Sequence, residues 1–232
     1  MNSSGKARRA RALDIDENGD ARLYGAFGVM AALTVMLAIF VVNSTPVDIG
    51  PSEGKFAPNI TAPSHSPGGD WAEDYVLYDN IDRDWELGLP GKYFLIQFID
   101  TDCGHCWTEG EEMSNLYNYY NAKIEFVTVA ISLGNPGWVS SKAEIAAFQE
   151  KSDYDGCNSN ENCNTRPGDA HPWVYLEDLS NSERGDWDVS STPFAVILDP
   201  SGHVVWNMGQ HMGVEDLPTA MFNLFGDNSG GA

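Results

Sequence analysis

Apolar and polar positions fall into blocks along this chain, and the first block is the longest. From Leu23 to Val42, 20 residues (LYGAFGVMAALTVMLAIFVV) pass without a charge. As a helix rising about 1.5 Å per residue, such a run spans roughly 30 Å, the apolar thickness of a bilayer. Lys6, Arg8, Arg9, Arg11 and Arg22 precede it and the next basic residue is Lys55, so charge asymmetry places residues 1–22 in the cytoplasm and the rest outside. The competing reading is a cleaved signal peptide, whose apolar region runs about 7–15 residues and ends in a small-residue site; no such site follows Val42. Either reading exports the remainder of the chain. Residues 43–74 are rich in Pro, Gly and Ser without a strand or helix period, and predict a flexible linker in which His65 is solvated. Asn43 and Asn59 each open an Asn-x-Thr triplet, a glycosylation pattern that recurs by chance.

Residues 75–226 carry the pattern of an α/β domain. Lys92–Asp100 (KYFLIQFID) and Ile124–Leu133 (IEFVTVAISL) are bounded apolar runs of strand length. Between them Met113, Leu116, Tyr117 and Tyr120 share one helical face, predicting a helix over about 104–121. Strand, helix and strand in that order imply a parallel pair with a right-handed crossover. Ser141-Lys142-Ala143-Glu144 is a capping box that starts a second helix to about Lys151. An Asn-rich stretch, about 153–172, reads as a surface insertion. Phe194–Asp199 and His203–Trp206, joined by Pro200-Ser201-Gly202, predict a hairpin, and Glu215–Phe225 a closing helix. Residues 227–232 read as a disordered tail.

Charge narrows the partners. The chain has 13 basic and 34 acidic residues, a net charge of −21, and the imbalance is concentrated after Val42. Such a surface repels nucleic acid and anionic membrane and keeps the domain soluble.

The four cysteines form two close pairs, too few for a disulfide scaffold. Cys103-Gly104-His105-Cys106 opens the first predicted helix directly after a buried strand. There the unpaired amides and the helix dipole favour a thiolate on Cys103, and Cys106, one turn deeper, can attack a mixed disulfide. His105 would add to that stabilisation and Asp102 oppose it. CxxC is also a zinc knuckle, but completing four ligands needs Cys157 and Cys163, whose spacing is too wide. The latter pair reads as a structural disulfide of an exported domain, the alternative being a second redox pair that relays electrons to Cys103. No histidine spacing suggests a metal site.

Gly91–Phe98 leading into Cys103-Gly104-His105-Cys106, followed by Thr192-Pro193-Phe194-Ala195-Val196-Ile197-Leu198-Asp199-Pro200-Ser201-Gly202, resembles the thioredoxin superfamily, nearest its membrane-anchored TlpA/ResA-like branch. The resemblance covers about Tyr78–Phe225. It implies a central mixed sheet flanked by helices, a cis Pro193 facing the sulfurs, and Thr192 offering its backbone to an extended substrate. It also implies disulfide exchange with exported proteins, a redox partner protein, and no cofactor beyond the cysteine pair. Gly-His between the cysteines is the dipeptide of protein disulfide isomerases, whereas the scaffold resembles reductases, so the direction of electron flow stays open. Three departures stand out: Asp102 replaces the usual Trp, Gln97 occupies the position of thioredoxin's buried acid, and Glu111 replaces a helix-kinking Pro. Glu109 matches an acidic position of the branch, either assisting deprotonation of Cys106 or standing as a solvated first-turn acid. Trp107 either lines a substrate surface or packs in the core.

Two rival functions use the same fold. A peroxiredoxin-like peroxidase would want Thr where Asp100 stands, and a non-enzymatic binding or chaperone module would not need an intact cysteine pair.

Overall fold

The computed structural model describes residues 17–43 and 47–226, which fall in two compact units divided between Pro46 and Val47. Residues 1–16 of the sequence-predicted tail at 1–22, and the predicted tail at 227–232, lie outside the described residues. In the first unit helix α1 (Glu17–Asn43) contains the whole uncharged run, and its described side chains, from Tyr24 to Ile39 and at Val41, are exposed. Over the residues whose side chains are described, no helix is long and apolar enough to cross a membrane.

In the second unit seven strands, among them β1 (Thr61–His65) and β2 (Trp71–Val76), form a mixed sheet in the order β2-β1-β7-β4-β3-β8-β9. Its centre is β3 (Tyr93–Ile99), parallel to β4 (Ile124–Ile131), with α2 (Gly104–Tyr120) as the crossover between them. On the far side of β4 lies β7 (Val174–Asp178), also parallel. β8 (Phe194–Leu198) runs antiparallel to β3 and continues into β9 (Val204–Asn207) as a hairpin.

Because side chains alternate along a strand, β3 feeds two cores. Leu95 and Ile99 face a cluster built with Met113 and Leu116 of α2, Phe148 of α3 (Lys142–Glu150) and Met221 of α6 (Leu217–Phe225). Phe94, Ile96 and Phe98 face the opposite cluster with Ala57, Ile60, Leu77 and Trp187, the last lying just after α5 (Ser182–Asp186). Caps fix the helix ends: Ser141 accepts from the Glu144 amide as its capping box predicts, and Asp216 accepts from Thr219 ahead of α6. With Glu111 where the resembled family carries a helix-kinking proline, α2 is one unbroken run.

Two expectations are overturned here. From Val47 onward the supposed linker is folded: Thr61–His65 is β1 and Trp71–Val76 is β2, with β1 inserted between β2 and β7. Composition misleads because this segment is ordered by its neighbours, with Ala57, Ile60 and Ala62 among its few apolar residues covering one sheet face. His65 is buried, with Nδ1 2.5 Å from Gln149 Oε1. Nor is the insertion superficial. Its short pieces β5 (Asp155–Gly156), α4 (Cys157–Asn160) and β6 (Glu161–Asn162) fold back on themselves, and Cys157, Cys163, Arg166 and His171 are all buried. Arg166 reaches the turn of α2 at Gly110, where a Cβ would collide with its guanidinium.

Ile60→Ala is therefore expected to destabilise the domain by about 2–4 kcal/mol in urea unfolding, the cost of a large-to-small change in a core. A tether residue would give no measurable change.

Candidate active site

The site forms where β3 ends and α2 begins. Asp100 is buried at the end of the strand, its carboxylate accepting from the amides of Asp102 (3.0 Å) and Leu133 (2.7 Å); this shapes the turn that delivers Cys103. Burial pushes the Asp100 pKa up, those two amides hold it back, and the charges of Asp102 and Cys103 add to the rise. Asp102 uses both oxygens in the same way, accepting from Val139 (2.9 Å) and Ser159 (3.1 Å). The amide of Asn158 donates to Thr101 O at 3.0 Å, so the insertion is fastened to the cysteine-bearing turn by two successive amides.

Cys103 is the N-cap of α2, and the first turn brings Cys106 beneath it. Both are buried free thiols, yet they are unequal. A hydrogen bond from the Cys106 thiol is the largest influence on Cys103, lowering its pKa to about 5 against the opposing effect of burial; Thr192 and the amides of Cys106 and His105 also lower it. Cys106 is driven the other way, well above the ordinary thiol value, by burial and then by its bond and charge interaction with Cys103. Protonated Cys103 donates to the Thr192 carbonyl at 3.5 Å. Once ionised it can instead accept from the Thr192 hydroxyl, which is buried without another partner. The Thr192–Pro193 bond is cis and leads into β8 beside the sulfurs.

Sequence reasoning places Thr192 at the site through its backbone; the hydroxyl is a second contribution that the motif does not announce. His105 and Gly104 are exposed, and His105 reaches Cys103 through its amide. Trp107 is largely buried and edge-on to Phe148 with centroids 6.2 Å apart, a packing that favours the core reading of the two. Cys157 and Cys163 are disulfide-bonded and fully buried; so paired they cannot complete a zinc site, and so buried they offer no sulfur to a direct relay. Among the described residues no group of three or more His, Cys, Asp or Glu is placed to hold a metal ion.

Glu109 is not a solvated acid. It is largely enclosed below the sulfurs, accepts from Gln97 Nε2 at 2.8 Å, and has a pKa raised to about 7, mainly by burial and further by the charges of Glu112 and Cys103, with the Gln97 bond opposing. Gln97 stands on the helix-facing side of β3, in line with Leu95 and Ile99. The contact joins one departure, Gln97, to the acid that matches the branch, two features that were separate in the sequence.

No protein-family model matches the chain, and no curated protein is similar to it. Among solved structures it is similar to a reduced 2-Cys peroxiredoxin from Plasmodium vivax, at 18% identity and TM-score 0.48 over 66% of this chain and 82% of that one. It is also similar to a putative thiol:disulfide interchange protein DsbE from Chlorobium tepidum (16%, 0.44, 67% and 83%). A third is the thioredoxin domain of a thiol-disulfide oxidoreductase from Bacteroides vulgatus (17%, 0.44, 67% and 87%). At these distances the topology and the sulfur geometry of the chain itself carry the thioredoxin-like reading.

Cys106→Ala removes the bond that dominates at Cys103, so the Cys103 pKa should climb from about 5 toward the ordinary thiol value of about 8.5. The pH dependence of iodoacetamide alkylation measures it; an unchanged midpoint would refute the shared-proton account.

Proposed function

We propose that this chain is a membrane-anchored thiol-disulfide oxidoreductase whose domain acts outside the cytoplasm on exported proteins. The observation that carries the reading is the unequal dithiol, an ionisable Cys103 over a protonated Cys106 beside a cis Thr192–Pro193 bond. Cys103 thiolate attacks one sulfur of a substrate disulfide. A Cys103–substrate bond forms as the substrate bond breaks, and the other substrate sulfur leaves as a thiolate that takes a proton from solvent. Glu109, one turn on from Cys106, accepts the Cys106 proton. Cys106 then attacks Cys103 Sγ, the Cys103–Cys106 bond closes, and the first substrate sulfur departs with its electron pair. Two electrons have passed to the substrate; in reverse, the same exchanges oxidise a substrate dithiol, and a redox partner protein resets the pair.

The pKa of Cys103 favours the reverse direction. At about 5 it lies between thioredoxin's nucleophile at about 7 and that of the strong oxidant DsbA at about 3.5. A more stable thiolate stabilises the reduced enzyme and so makes its disulfide the better oxidant. The domain then serves as oxidase or isomerase toward exported substrates, with no cofactor beyond the cysteine pair and no affinity for nucleic acid. The anchor is supported by the uncharged Leu23–Val42 run lying within one helix and by the basic residues ahead of it.

Equilibrated against glutathione, the Cys103/Cys106 pair should have a potential nearer about −180 mV than −270 mV. A value at or below the latter would make the protein a reductase; failure in both insulin reduction and scrambled-substrate refolding would leave a peroxidase if the protein consumes peroxide and a binding module if it does not. For the anchor, the full chain should stay with membranes through an alkaline carbonate wash, and its release would refute anchoring.

A further inference from the structure

Glu109 takes its hydrogen bond from a group that could face it either way. A primary amide presents an oxygen at one end and an NH2 at the other, and a half-turn exchanges them. The end that meets a carboxyl group decides whether the ionised or the neutral form is favoured. What fixes the end is a chain of bonds running back from Gln97. The Trp173 indole N–H, which can only donate, donates to Thr128 Oγ1 at 2.9 Å. Thr128 donates its own proton to Gln97 Oε1 at 3.2 Å, which leaves Gln97 Nε2 to donate to Glu109 Oε2 at 2.8 Å. Trp173, Thr128 and Gln97 are all buried. The indole is held in turn, stacked on His171 with centroids 4.1 Å apart and on Tyr117 at 5.0 Å.

We propose that Trp173 and Thr128 are positioning residues for proton transfer from Cys106, holding the Gln97 amide with its NH2 on the Glu109 carboxylate so that Glu109 stays a proton acceptor. This rests on the role proposed for Glu109 in catalysis and adds the residues that orient it. Around Glu109 stand Gln97 of β3, Cys103 and Glu112 of the cysteine-bearing segment, and Tyr175 of β7, whose hydroxyl also feels the charge of Cys106. Burial and the neighbouring negative charges oppose its ionisation; the Gln97 N–H favours it. With the relay cut, Gln97 can turn its oxygen to a protonated Glu109, and ionisation moves to higher pH.

The test is single-turnover resolution of a Cys103–thionitrobenzoate mixed disulfide on the full chain, followed across pH. In the native protein the rate should rise through an inflection near the Glu109 value of about 7. Thr128→Val should move that inflection upward by about 0.5–1 unit, a roughly three- to tenfold loss of rate below it for one lost hydrogen bond to a charged group, and Thr128→Ser should restore it. Trp173→Phe should move it the same way and serves if Thr128→Val does not fold. An inflection unmoved by either variant but abolished by Glu109→Gln overturns the relay while leaving the role of Glu109 intact. A profile unchanged by Glu109→Gln overturns that role and the relay with it.

Discussion

One proton held between two sulfurs organises this site. In water Cys103 and Cys106 would ionise alike. Placed at the first turn of α2 and taken out of solvent, they cannot both carry charge, and the thiol of one stabilises the thiolate of the other. That asymmetry converts a pair of cysteines into a nucleophile and a reserve. The surroundings keep it: Asp100 and Asp102 shape the turn, Thr192 supplies a hydroxyl with no hydrogen-bond partner of its own, and Glu109, with a pKa raised to about 7, is the acid proposed to take the proton that the second sulfur must lose.

Sequence pattern finds what is local. β3, β4 and α2 are legible because each buries enough of its own side chains to leave a period, and the two cysteines and Pro193 are legible because their neighbours in sequence form a motif. β1 is not, since Thr61–His65 contains a proline and little apolar surface and takes its order from β2 and β7. Trp187 is fully buried, yet nothing in its flanking residues marks it as core. The same limit hides the Gln97–Glu109 contact, which joins a strand to a helix across a turn, and the route through Thr128 to Trp173, which crosses β4 to the residue just ahead of β7. Side chains far apart in sequence become hydrogen-bonded only when the sheet order is known.

The insertion is where composition and structure part most widely. Its polarity suggests solvent, but Arg166 is buried and donates to the carbonyls of Phe148, Pro167 and Asp169. Beside it, His171 has its pKa pushed well down by burial and then by the Arg166 charge, so it stays neutral, and it stacks on Trp173. A polar segment thus braces an aromatic ring at the base of the site. It can do so because each buried charge or dipole finds a partner, the condition under which polar groups leave water at tolerable cost.

The Cys157–Cys163 bridge closes the loop whose amides at Asn158 and Ser159 are fastened to Thr101 and Asp102. That bond forms and persists only where an oxidant is available. Made in a reducing compartment, the chain would keep its catalytic cysteines but lose the clasp on the wall beside them. Maturation would thereby be tied to location: on the proposed function, a catalyst of disulfide exchange is itself finished by an oxidation, and a molecule that never reaches an oxidising space remains incompletely assembled beside its free cysteines.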